Sequence, residues 1–172
     1  MEFLQLAQER YSCRKFSDKP VEQEKLDKII AAAIAAPTAV NFQPVKVWTM
    51  DSPRGLELVQ QVTRYTFGAK HFMVVGGKTA DAWTRGQDNY NFAGVDAAIV
   101  ATHIMMEARD LGLDTTWVGS FDAPLLKKLC PEMADYELVV LFPIGYAEDS
   151  KAGGPGPLHG VRKSRAEMVT DL

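Results

Sequence analysis

From Phe92 to Leu111 the chain carries a helical pattern with almost no polar face. Val95, Ala98, Ile99, Thr102, Met105, Met106 and Leu111 leave only a narrow polar edge. Such a segment reads as a central, nearly buried helix, and the rest of the chain has to supply what surrounds it. His103 lies within it. With no second histidine, cysteine or carboxylate at metal-ligand spacing, it reads as a hydrogen-bonded core residue, and no metal site is expected. Gly112, in Leu111-Gly112-Leu113, is placed to end the helix in a left-handed turn.

What precedes and follows that helix fits one domain over residues 1–172, a length sufficient for a real core. Apolar residues make up 47% and charged residues 24%, the balance of an ordinary soluble protein. The formal net charge is −3 and the lysines and arginines are dispersed, which argues against nucleic-acid or membrane partners. No apolar run reaches membrane-span length, and Met1-Glu2-Phe3-Leu4-Gln5 lacks the order of a signal peptide. Cys13 and Cys130 show neither metal nor redox spacing, so a reduced, cytoplasmic protein is the expectation.

Before the central helix, Phe3, Leu4, Leu6 and Ala7 form a short apolar helical face. Arg10, Ser12 and Arg14 then alternate, so in an extended segment all three point one way. Two guanidiniums and a hydroxyl converging on one side suit a phosphate, because arginine gives planar, charge-assisted donors. A solvated basic turn would look the same from sequence.

Leu26, Ile29, Ile30, Ala33 and Ile34 mark the next amphipathic helix, which Pro37 should terminate. Its loop, Thr38, Ala39, Asn41 and Gln43, lies between that helix and a strand opening at Val45, so its polar groups are aimed. Asp51-Ser52-Pro53 starts a helix with Leu56, Val59 and Val62 on its apolar side. Phe72 to Val75 reads as a short buried strand ending at Gly76-Gly77. Arg64 and Lys70 have no evident role. The segment from Ala82 to Asn91 is weakly patterned, and its Trp83 and Tyr90 either line a pocket or pack.

After the central helix, Asp114 to Asp122 is a short strand breaking into a glycine turn, where Gly119 and Ser120 present backbone N–H groups. Asp122 and Pro124 start a helix over Ala123 to Leu129. Leu138 to Tyr146 is the strongest strand signal. Residues 151–172 form an extended C-terminal arm, Gly/Pro-rich from Lys151 to His159 and without a core of its own. Helices alternating with strands give an α+β (α/β-like) single domain with a modest central sheet.

Four segments in this order resemble the nitroreductase superfamily of FMN-dependent oxidoreductases. They are Arg10-Tyr11-Ser12-Cys13-Arg14-Lys15-Phe16, Ala36 to Pro44, Leu111 to Asp122, and Arg162-Lys163. The resemblance implies a mostly antiparallel sheet flanked by helices and an intertwined homodimer with FMN at the subunit interface. Carried over by position, Arg10 and Ser12 would hold the ribityl phosphate, with Arg162 and Lys163 completing that site, and Arg14 would reach the pyrimidine edge. Tyr11 and Gln43 belong to the same cofactor-binding motifs. Pro37, Thr38, Ala39 and Asn41 would come from the partner subunit, and backbone N–H groups around Val118, Gly119 and Ser120 would face the flavin. Trp83 and Tyr90, with Phe42 and Phe121 as further candidates, would cover the substrate. No acid, base or nucleophile triad is visible, as befits chemistry carried by a flavin. The implied activity is hydride transfer from NAD(P)H through FMN to a flat acceptor such as a nitroaromatic or quinone, by a ping-pong cycle. A non-catalytic FMN-binding protein for storage or sensing is the alternative.

Overall fold

The computed structural model describes residues 2–172. In chain order the elements are α1 (Phe3–Glu9), α2 (Gln23–Ala35), β1 (Val45–Thr49), α3 (Pro53–Val62), β2 (His71–Lys78), β3 (Thr84–Arg85), β4 (Tyr90–Asn91), α4 (Ala93–Asp110), β5 (Asp114–Thr115), α5 (Ala123–Leu129), β6 (Tyr136–Gly145) and α6 (Arg165–Met168). A four-stranded sheet runs β1-β2-β6-β5, antiparallel at every step.

The strand period of two sorts the core into layers. Met73, Val75, Val140 and Phe142 face α2 and α4, where Leu26, Ile29, Val100 and Ile104 meet them. Phe72, Val74 and Leu141 face the other way, onto Val59 and Val62 of α3 and Leu126 of α5. Helices therefore cover both faces of one sheet, and that arrangement holds the site-bearing loops at its rims.

Local chemistry explains most boundaries. Ala36, ahead of Pro37, is extended (φ −64, ψ 138), which closes α2. Ser52 and Asp122 cap α3 and α5 by accepting from Gly55 N–H and Leu125 N–H at 3.0 and 2.9 Å. Gly112 takes φ +74 and ends α4. His103 keeps its Nδ1 2.9 Å from Ile99 O within its own helix.

Several expectations need correction. β2 does not end at the glycine pair but continues to Lys78, with a register shift between Val75 and Gly76. The glycine at 77 serves packing, because a Cβ there would collide with the carbonyl oxygen of Ala93 at the start of α4. Residues 82–91 fold as a small hairpin, β3 and β4, in which Trp83 and Tyr90 both pack edge-on against Phe92. The apolar faces of the early helices are only partly covered by their own chain: Phe3, Leu4 and Ile34 are exposed. On α4, Ala93, Ala97, Ala101, Ile104 and Ala108 are buried, whereas Val95, Ala98, Ile99, Met105 and Met106 are half-buried. The helix is central, with one apolar flank that its own chain leaves partly open. Among the described residues, no helix is long and apolar enough to cross a membrane.

Candidate functional site

Past α1 the chain runs extended and is stitched to the sheet rim. Ser12 bridges to Thr115 in parallel, and Phe16 bridges to Ala147 in antiparallel fashion. Cys13 N–H donates to Thr115 O at 3.0 Å, and the Thr116 hydroxyl donates a short hydrogen bond back to Cys13 O. Extended geometry sends alternate side chains to opposite sides. Tyr11 and Cys13 turn inward, while Arg10, Ser12 and Arg14 face a cavity of about 510 Å³. Its far wall is the turn 156–159 with Arg162.

The electrostatics of that cavity are one-sided. Among the described residues, no carboxylate forms an ion pair with Arg10, Arg14 or Arg162. Among the described residues, Arg14 hydrogen-bonds Ser12 O at 3.4 Å, and Arg162 its own arm's carbonyls, Val161 O at 2.8 Å and Leu158 O at 3.5 Å. Burial, then the nearby Arg162 guanidinium, holds Arg10 below the usual arginine value. Three guanidiniums and a hydroxyl around one space without a counter-charge form a receptor for an anion.

Behind this wall lies a compensated network. Arg109 donates from its guanidinium to Asp114 Oδ1 at 2.9 Å, and the Tyr11 hydroxyl also bonds the Asp114 carboxylate. Arg109 lies over the Tyr11 ring, 5.5 Å from its centre. Burial, reinforced by Asp114, pushes the Tyr11 phenol up to about 12. Burial also raises the Asp114 carboxyl, outweighing the pull of Arg109, Ala147 N–H and Tyr11. The inward side of the motif thus fixes the register that the outward side displays.

The remaining expected residues fall in separate places. Thr38 and Gln43 border a groove with Ile34 of α2, Val45 and Val47 of β1, and Val100 of α4. The loop between them is strained, with Val40, Asn41 and Gln43 all at positive φ (47, 58 and 53). Ala39 N–H donates to Asp96 Oδ1 at 2.9 Å, and Gln43 N–H donates to Thr38 Oγ1 at 3.0 Å, which together hold it. Phe42 projects from this loop, 55% exposed. Pro37, Ala39 and Asn41 lie on the loop but do not reach the guanidinium cavity, whose lining contains no residue from it.

Ser120 and Phe121 border a third cavity, of about 540 Å³, with Thr63, Arg64 and Tyr65. The Thr63 hydroxyl donates to Ser120 O at 2.9 Å, and Arg64 donates to the Tyr65 hydroxyl at 2.8 Å. Gly119 is open on its Cβ side. Val118 differs from its neighbours, since its N–H and C=O both pair with Leu141 and its side chain is buried, so it has no free donor.

Tyr11 likewise stands behind the cavity wall. Lys163 is exposed beyond the lining, and Lys70 pairs with Asp18 at 3.6 Å. Trp83 and Tyr90 sit on the β3–β4 hairpin; neither borders the guanidinium or Ser120 cavities, and Tyr90 borders a separate one of about 650 Å³ with Asp88, Val95 and Glu137. Sequence reasoning missed the turn 156–159, with His159, and the Arg109–Asp114–Tyr11 network. The Gly/Pro-rich composition was the signal for the turn, and nothing local marks the network.

Comparison with known proteins identifies the family and the fold. The family model described as the nitroreductase family matches residues 7–67 and 60–146. A protein of Archaeoglobus fulgidus, provisionally named an NADH dehydrogenase/NAD(P)H nitroreductase, is 29% identical over 160 residues, covering 87% of this chain and 88% of the relative. The crystal structure of a nitroreductase family protein from Clostridium difficile is 30% identical with a TM-score of 0.90, covering 99% of this chain and 98% of that one. A protein of Desulfovibrio desulfuricans, solved in complex with FMN, has a TM-score of 0.81 at 23% identity, covering 100% and 97% of the two chains.

Proposed function

The chain belongs to the nitroreductase family, and on that premise we propose that it is an FMN-dependent NAD(P)H oxidoreductase whose acceptor is a flat molecule such as a nitroaromatic or quinone. The observation that carries this reading is the cavity in which Arg10, Arg14 and Arg162 meet Ser12 without a carboxylate to neutralise them. That donor set suits the phosphate of FMN, which brings negative charge and several acceptor oxygens. FMN, when bound, supplies the hydride exchange itself, so the chain needs no acid, base or nucleophile of its own.

The residues divide the remaining work. Arg10, Ser12 and Arg162 hold the phosphate, and Arg14 directs its fixed positive charge at the pyrimidine edge, where it stabilises the reduced state. Gly119 and Ser120 offer backbone N–H groups to the flavin's polar edge. In a homodimer, Pro37, Thr38, Ala39 and Asn41 approach the partner's cofactor, and the exposed Ile34, Val40 and Phe42 lie in the contact. A nicotinamide and the acceptor then occupy the same face in turn, a ping-pong cycle in a reduced compartment.

Purified protein should be yellow, with the absorbance bands of oxidised flavin. It should oxidise NADH or NADPH in steady state when a quinone or nitroaromatic is added, with parallel-line kinetics. A colourless protein that takes up no added FMN would end this reading. A yellow one that turns over no nicotinamide with any acceptor would instead be the FMN-storing or sensing alternative.

A further inference from the structure

The guanidinium cavity has a fourth basic group, His159, that no motif marks. It closes the turn 156–159, its N–H donating to Gly156 O at 2.9 Å, and its ring borders the same space as Arg10, Ser12, Arg14 and Arg162. Most of the arm is exposed, yet this ring has a fixed neighbour. It meets Tyr11 edge-on with ring centres 6.2 Å apart, and Tyr11 is held by Asp114 and by Arg109.

The groups around the imidazole can be named element by element. The N-terminal segment presents Arg10, Arg14 and the Tyr11 ring, and the arm presents Arg162. Behind Tyr11 stand Arg109 of α4 and Asp114 of β5, paired with one another. The cavity side is therefore cationic, and the Asp114 carboxylate behind it is already engaged by Arg109 and Tyr11. Three guanidiniums border the same space as the imidazole, and none of them has a carboxylate partner among the described residues. A phosphate dianion entering the cavity reverses the local sign, and the same ring then gains by taking a proton from the buffer.

We infer that His159 is a further phosphate-binding residue, and that it binds by taking up a proton as the phosphate enters. Cofactor association and protonation are then linked, as any group whose affinity for a proton differs between two states requires. The inference rests on the reading that this cavity receives the phosphate of FMN.

Titration calorimetry of the apoprotein with FMN near pH 7, in buffers of different ionisation heat, counts the protons exchanged. Wild type should take up more protons than His159→Gln, by up to about one, as a group that gains a proton on binding requires. The variant's FMN affinity should fall about tenfold at pH 6.5, the loss of one charge-assisted contact. It should converge on wild type above about pH 8.5, where imidazole is neutral in either state. His159→Lys, permanently charged, should bind FMN without the extra proton. Riboflavin, which lacks the phosphate, tests the idea without a variant, because wild type should show no such uptake with it.

Equal proton counts for wild type and His159→Gln, or for FMN and riboflavin, overturn the inference and leave FMN binding intact. Failure of the wild type to bind FMN overturns the cofactor reading and this inference with it.

Discussion

Arg10 and Tyr11 are neighbours in sequence and opposites in circumstance. Arg10 faces a cavity beside Arg162 and Arg14 and forms no ion pair with any carboxylate among the described residues. Tyr11 points the other way into a cluster where a donor meets an acceptor and a guanidinium meets a carboxylate. One extended segment thus separates a balanced interior from an unbalanced exterior. Charge left unbalanced by the fold is available to a ligand, whereas charge balanced within the fold maintains the shape that presents it. The rule sorts this region better than residue type does, since arginines stand on both sides.

The balanced interior depends most on Asp114. Removing it in Asp114→Ala strands the partly buried Arg109 and takes the partner from Tyr11, so folding stability should fall by about 3 kcal/mol. Urea denaturation of the apoprotein measures it, and an unchanged midpoint would mean the inner network is not structural. Next comes Arg10→Ala, which should weaken FMN binding by about 1.5–3 kcal/mol, the loss of a charge-assisted partner. The apoprotein should be no less stable, because Arg162 loses a repelling neighbour. Comparing flavin retention on dialysis with the urea midpoint separates the two effects, and a variant that loses stability but keeps flavin would invert the assignment.

The smallest change is Tyr11→Phe, at about 1 kcal/mol for one hydrogen bond. Its signature is alkaline. The folded phenol is raised to about 12 from an ordinary value of 10.0, so the stability it contributes is complete below pH 10 and is lost as pH rises through 12. The stability gap between wild type and variant should therefore narrow across that window, and a constant gap would count against the Tyr11–Asp114 bond.

The outward side of this segment was legible because alternation alone assigns a face to Arg10, Ser12 and Arg14. The inward side was not, since Tyr11 and Asp114 are far apart in sequence and are brought together by the Ser12–Thr115 bridge and the hydrogen bonds that Cys13 makes with Thr115 and Thr116. His159 was hidden for a different reason: a Gly/Pro-rich stretch announces that it lacks a core but not where it folds back. Helix ends at Pro37, Ser52, Gly112 and Asp122 were readable because capping and proline effects are local. Gly76-Gly77 misled because glycine punctuates strands locally, while here its missing Cβ admits the Ala93 carbonyl. Weak patterning left Trp83 and Tyr90 open between packing and a pocket wall, and both descriptions apply: each ring meets Phe92, and Tyr90 also borders a cavity with Asp88 and Glu137.

β1 stands at the margin of the sheet, paired on one side only, and the groove it borders is shared with Ile34, which is 78% exposed. Val40 and Phe42 are exposed on the strained loop that leads into it. An open strand edge beside exposed apolar side chains is a template for strand addition by other copies. In a chain whose margin is not yet buried, this edge is open to pairing with other copies. Recovery of the protein should thus depend on its concentration during refolding and on whether a second charge joins the exposed Lys46 at the margin, as Thr49→Lys would do at the exposed end of β1.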